Sequence, residues 1–199
     1  MRVKDRKKTL EMAMIGMLSA IAFLMELLSV SVPFLPAFLK LDISDVPGLI
    51  ATFAMGMQQG ILVCLIKNML HLLCSTSGGV GELCNFLLGL VLVTVLGALQ
   101  GKRRSKTAAM TGSVIAAVAV SLSSVVLNFY LVYPVYIRVM GLSEAAILSV
   151  YRVVDPGIRT LSEALLKFNM PFTFLKVILN LWLGSFVYKR ILLVQRGMR

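Results

Sequence analysis

Charge is scarce in this chain. Only 15% of its 199 residues are charged and nine are acidic, against 58% hydrophobic residues, whereas a soluble domain averages about 25% charged residues. A mean hydropathy of +0.89 describes a polypeptide dissolved in lipid. Histidine occurs once, too few for most two-histidine metal sites. The three cysteines, Cys64, Cys74 and Cys84, stand ten apart, which fits no metal-ligand pattern, and they read as small hydrophobes. A nucleotide-binding loop is also missing. In "LGALQGKR" Leu96 stands where the first glycine belongs and Arg103 replaces Ser or Thr, so any ATP hydrolysis must come from another chain.

What the chain has instead is apolar length. Long apolar runs predict an all-α integral membrane bundle, a single domain over 1–199, with helices at about 10–29, 46–57, 60–74, 80–101, 107–133 and 168–193. A spanning helix takes about 20 residues, and the second and third runs fall short of that. Gly56, Gly60 and the glutamine pair in "MGMQQG" favour a break between them, because glycine relaxes the backbone and amides suit an interface. Six transmembrane helices result. The basic start followed by "AIA" imitates a secretory signal, but the apolar run continues past the cut through Phe23 to Met25, so an uncleaved first helix is expected.

Basic residues gather on the cytoplasmic side of membrane proteins. With six spans and both termini cytoplasmic, thirteen Lys or Arg lie inside, at the two ends and around 102–106, and five lie outside; Lys67 and Lys176 remain within the membrane. Merging the second and third runs would put the 102–106 cluster outside. This asymmetry accounts for the net charge of +11, and with no basic stripe carrying interleaved aromatics, nucleic acid is excluded as a partner.

Polar groups inside a membrane are functional suspects until a structural partner is found. On this topology Glu82 and Asn85 enter the fourth helix from outside, Asn128 lies near the outer end of the fifth, and Thr173, Lys176 and Asn180 share one face of the sixth. Lys67, Asn68 and His71 fall in the outer half of the third, where Lys67 pairing with Asp45 or Glu82, and the other two tying helices together, explains them structurally. The inner half is Leu, Val, Ala and Met. Such one-sidedness argues against a channel and for a pocket open to the outside. Phe34, Phe38, Phe129, Tyr130, Tyr133, Tyr136 and Phe172 fall at its level as candidate aromatic walls. Asn128, Thr173 and Lys176, with no evident acidic neighbour in sequence, are the leading candidates for ligand contact.

Two outer loops complete the picture, 30–45 and 136–167. The first, "PAFLKLDISDVP", is a structured segment that brings Phe38, Leu39 and Lys40 over the pocket as a lip. Ser44 or Asp45 is placed to cap the second helix, and Pro47 suits its first turn. In the second, "DPGIRTLSEALLKF" is expected to be an amphipathic surface helix. Asp155 would be its cap and Pro156 its first residue, with Ile158, Leu161 and Leu165 on one face, serving as a lid or resting on the bilayer.

"FLKLDISDVPGLIATFAMG", "IKNMLHLL", "GVGELCNFLLG", "LNFYLVYPVY" and "MPFTFLKVILN", in register from the first helix to the sixth, together resemble the riboflavin-binding S components of energy-coupling factor (ECF) transporters. The resemblance implies a non-enzymatic capture subunit in a prokaryotic plasma membrane. It would take riboflavin from outside as its transported ligand, with no cofactor, and work with a membrane coupling protein and two cytoplasmic ATPases. It implies ligand contacts at Asn128 and Lys176; where the family's "PFNxxK" pattern has asparagine this chain has Thr173, which keeps a hydroxyl but loses the amide's reach. Gly16 and Ala20 form a small-residue pair on the first helix that suits docking of the coupling protein or packing within the chain's own bundle. The rival readings are an S component for another vitamin or flavin, a stand-alone facilitator, or an intramembrane hydrolase using Glu82, His71 and Lys67. The last lacks a second acid paired with Glu82.

Overall fold

The computed structural model describes residues 3–32, 39–75, 77–100 and 106–197. Its helices are α1 (Val3–Leu27), α2 (Val46–Ala54), α3 (Met57–His71), α4 (Val80–Gln100), α5 (Lys106–Leu127), α6 (Tyr133–Arg138), α7 (Glu144–Val154), α8 (Leu161–Ala164) and α9 (Met170–Gly197). Two of these joins are uninterrupted: wider turns with i→i+5 hydrogen bonding, Asn128–Val132 and Leu165–Asn169, carry α5 into α6 and α8 into α9. Among the described residues five stretches are long and apolar enough to cross a bilayer, at Arg6–Leu27, Met57–Cys74, Val80–Leu99, Met110–Arg138 and Leu161–Lys189. Their outward faces carry Met17, Leu73, Leu175 and Trp182, all exposed, as lipid-facing surfaces should. The architecture is an all-α membrane bundle with one addition, a two-residue antiparallel pairing of β1 (Val30–Ser31) with β2 (Lys40–Leu41) at the mouth of the first loop.

The expected break between the second and third runs falls at Met55 and Gly56. Gly56 has φ +121°, a conformation that side chains with a Cβ rarely adopt. The chain reverses there, and α2 packs so closely against α3 that a Cβ on Gly60 would lie 2.0 Å from Thr52 Oγ1 and 3.0 Å from the Gly48 carbonyl. At nine residues, α2 rises about 13.5 Å, near half the ~30 Å hydrocarbon thickness. The preceding segment is correspondingly deep. Leu39, Asp42, Ser44 and Asp45 are all buried, so residues 39–45 run down into the bundle as a wall, with Lys40 and Ile43 left exposed. Asp45 holds the N-cap position and Pro47 the first turn, but Asp45 makes no side-chain capping bond; its carboxylate is used elsewhere.

The second outer loop departs from expectation. Asp155 ends α7, a surface helix the sequence reading did not foresee, which starts on Ser143, whose side chain accepts from the Ala146 N–H. Pro156 lies in the turn that follows, and the next helix starts at Leu161 with Thr160 as the cap that accepts from the Glu163 N–H. The stretch around "TLSEALLKF" is therefore the outer end of the last long helix and not a separate helix on the surface. Ile158 lies before the helix and so shares no helix face with Leu161 and Leu165, but all three are buried in one cluster with Tyr133, Ile147 and Tyr151. Arg152 Nε donates to the Ile158 carbonyl at 2.9 Å, and Lys167 pairs with Asp155 across the same turn.

At the opposite end, Leu49, Leu92, Leu96, Ala116, Ala117, Val120, Val177 and Leu181 form an apolar core joining α2, α4, α5 and α9. Small residues let these helices close on each other: a Cβ on Gly97 would lie 2.8 Å from Met57, and one on Gly184 would lie 3.3 Å from Leu49.

Candidate functional site

The C-terminal ends of α1, α3 and α5 and the N-terminal ends of α4 and α9 meet at one end of the bundle, and a cavity of about 550 Å³ lies among them. Leu92, Val120 and Val177 belong both to its lining and to the apolar core beneath, so its floor is the greasy half of the protein. Leu39, Leu88, Val132 and Phe172 add apolar wall, and Tyr133 and Tyr136 add aromatic wall with phenol groups.

Polar side chains expected at the site converge on it. Asn128, Thr173, Lys176, Glu82, Asn85, Leu39 and Lys40 all line the cavity. Phe34 and Phe38 lie outside the described residues. Phe129 and Tyr130 do not join the wall: they are 37% and 73% exposed and pack edge to face on each other, so the aromatic side is carried by Tyr133, Tyr136 and Phe172. Asn180 shares the Lys176 face but sits below the cavity, where its Nδ2 donates to the Asp42 carbonyl at 3.1 Å.

Most of the charge is paired. Lys67, 1% exposed, donates to Ser44 Oγ and Asp45 Oδ1, both at 2.9 Å, which realises one of the two pairings open in the sequence. Lys176 also has an acidic partner, against expectation: its ammonium lies 2.6 Å from Asp42 Oδ2, a residue 134 positions away that no local pattern connects to it. Asp42 is buried, and its carboxylate is answered by the Lys176 ammonium on Oδ2 and by the Ser44 N–H and hydroxyl on Oδ1. Glu82 receives Ser75 and Ser77 hydroxyls at 2.8 Å and the His71 ring at 3.0 Å. It is the hub of a clasp between α3 and α4.

Three buried polar residues of the cavity lining escaped the sequence reading. Glu26, 7% exposed, accepts a 2.6 Å bond from Asn85 Nδ2 and lies 3.8 Å from Lys67 Nζ; an acid near the outer end of the apolar run of α1 was the available signal. Asp42 was visible only as part of a loop. Asn169, 1% exposed, lines the cavity from the wide turn that opens α9, and nothing in "KFNMPF" marks that turn. Asn128 begins the other wide turn, and its Nδ2 donates to the Ser124 carbonyl at 2.7 Å.

Gly16 and Ala20 lie on the exposed face of α1, opposite the buried Ser19, Ala22 and Glu26. A Cβ on Gly16 would meet nothing within 4 Å. Among the described residues, no other helix of the bundle covers Gly16.

A membrane-embedded helical bundle with a closed apolar floor and a polar cup at one end is a small-molecule binding protein. The sequence matches the family described as the ECF transporter, substrate-specific component, over residues 10–188. It is similar to riboflavin transporter RibU of Staphylococcus aureus, 39% identical over 132 residues that cover 66% of this chain and 70% of that one. Riboflavin transporter FmnP of Bacillus subtilis is 33% identical over 132 residues, covering 65% and 70%. The fold matches a solved S component of a bacterial ECF transporter with a TM-score of 0.76 and 30% identity, over 94% of this chain and 98% of the other. The chain belongs to the substrate-specific S components of bacterial ECF transporters, multi-pass membrane subunits that bind and do not catalyse.

Proposed function

We propose that this S component captures riboflavin from the extracellular side and delivers it inward with an ECF module made of a membrane coupling protein and two cytoplasmic ATPases. The observation that carries the reading is the cup itself: about 550 Å³, within the ~300–1,000 Å³ of small-molecule sites, polar at the rim and closed by Leu92, Val120 and Val177 below. The vitamin is the one for which the two similar transporters, RibU and FmnP, are named.

In this reading the planar ring lies between apolar wall and the phenol-bearing Tyr133 and Tyr136, while Asn128, Thr173 and Lys176 answer its polar edge and ribityl hydroxyls. Each neutral hydrogen bond contributes about 0.5–1.5 kcal/mol net and burial of the ring supplies the larger share. The Asp42 pairing holds the Lys176 ammonium at the cavity wall before ligand arrives, which lowers the ordering cost of binding. The buried segment 39–45 with α2 makes the sixth crossing, its helical half starting at mid-depth beside Lys67. In this reading the N-terminal end of α1, the join of α4 to α5 and the C-terminal end of α9 face the cytoplasm, in keeping with their basic residues in the sequence, and the cup faces outside. The open face of α1 around Gly16 and Ala20 receives the coupling protein.

The test is a titration of the purified chain with riboflavin, thiamine, folate and biotin. Riboflavin is expected to bind alone among the four and to copurify as a yellow species with flavin absorption. Saturable binding of another vitamin with no flavin response would replace the ligand.

A further inference from the structure

We propose that Asn169 is a ligand-reading residue of the cavity, donating from Nδ2 to an acceptor oxygen or nitrogen of the bound molecule, with Tyr151 and Tyr133 aiming its amide. The proposal rests on the cavity being the flavin site.

Two wide turns interrupt otherwise regular helices here, and each carries a cavity-lining asparagine at one end: Asn128 opens the turn 128–132 and Asn169 closes the turn 165–169. One extra residue in a turn rotates everything beyond it about the helix axis, at the expense of regular hydrogen bonding, and such turns concentrate at functional sites. At Asn169 the result is an amide 1% exposed but bordering the void.

Its hydrogen bonds fix which way the amide points. Tyr151 Oη donates to Asn169 Oδ1 at 2.7 Å. Burial first, and the neighbouring Tyr133 next, push the Tyr151 phenol far above its ordinary value, so it remains a donor. With that proton committed, the 2.5 Å contact between the two phenols requires Tyr133 to donate to Tyr151. Tyr133 oxygen then faces Asn169 Nδ2 at 3.5 Å, long beside the 2.7–3.2 Å of a good N–H···O bond. The amide oxygen has a close donor in Tyr151, whereas the nitrogen, with two N–H groups, has only this long contact among the described residues. A buried donor left in that condition is costly, and an acceptor on a ligand in the adjoining void relieves it. Tyr151 stands on α7, outside the spans, so the same ring of bonds ties the surface helix to the site.

The experiment measures riboflavin affinity, by fluorescence quenching, and thermal stability of the purified full chain carrying N169A, T173N or both. Position 173 is four residues on, on the same helix face and lining the same cavity, so an amide there enters the void one turn deeper without reaching the tyrosine pair. N169A is expected to weaken binding about tenfold or more, with T173N in that background recovering most of the loss while leaving thermal stability where N169A put it. Parent-like affinity in N169A would overturn the proposal. So would a loss that T173N does not recover, which assigns Asn169 to holding α7 alone. A parent chain that binds no riboflavin removes both this proposal and the flavin reading, whereas failure in the variants alone removes only this one.

Discussion

The two ends of the bundle are built from the same five long helices yet obey different rules. At one end Leu96, Ala116, Ala117 and Leu181 pack without a charged group among them. At the other, Glu26, Asp42, Asp45, Lys67, Glu82 and Lys176 crowd around a void, nearly all buried. In the first end only shape complementarity is at stake, and in the second each buried polar atom needs a partner. The difference shows where the molecule spends its polarity: a closed floor needs none, and a cup that must hold a polar ligand needs a frame of paired charges to keep its donors in place.

Variants that unbalance the frame should cost most. Lys67→Met leaves Asp45 and Glu26 buried without their cation, and removal of one partner of a buried pair costs about 3–5 kcal/mol. A large fall in the thermal midpoint in detergent is expected, and a parent-like midpoint would show that the frame is dispensable. Asp42→Asn removes a charge-assisted bond worth about 1.5–3 kcal/mol. The thermal midpoint of Asp42→Asn should fall below that of the parent, by less than in Lys67→Met, and a parent-like midpoint would contradict the pairing with Lys176.

The apolar side of the comparison has its own test. Gly60→Ala places a methyl 2.0 Å from Thr52 Oγ1, between helices that cannot both yield, and overpacking of this kind costs about 1–3 kcal/mol. It should lower stability while leaving the ligand preference of the folded fraction unchanged. The smallest effect on the isolated chain belongs to Gly16→Leu. That side chain meets open space, so stability should move by no more than about 0.5 kcal/mol. Copurification with the coupling protein, however, should be lost; retained assembly would free the α1 face from that role.

Legibility in the sequence followed range. Apolar runs gave the long helices, and "MGMQQG" gave the reversal at Gly56, because each depends on neighbouring residues. The one-ended gathering of Asn85, Asn128, Thr173 and Lys176 was readable for the same reason, once alternate helices were run in opposite directions. Lys67 with Asp45 was among the pairings open in the sequence, but the longer-range one was not readable: Asp42 meets Lys176 only because residues 39–45 descend into the bundle. Competing local signals misled at 155–161, where Asp-Pro looks like a helix start; Asp155 instead ends α7 and pairs with Lys167, and Thr160 does the capping. Wide turns leave no pattern in composition, which is why Phe129 and Tyr130 were expected in the wall and Asn169 was not.

The central claim is that the polar end of this bundle is the riboflavin site, and the most direct measurement is a fluorescence titration of riboflavin into the parent and the Asn128→Ala, Lys176→Ala double variant, each shown to be folded. The parent should quench flavin emission to saturation, and the double variant should do so only at far higher concentration. A folded double variant that quenches like the parent would contradict the account.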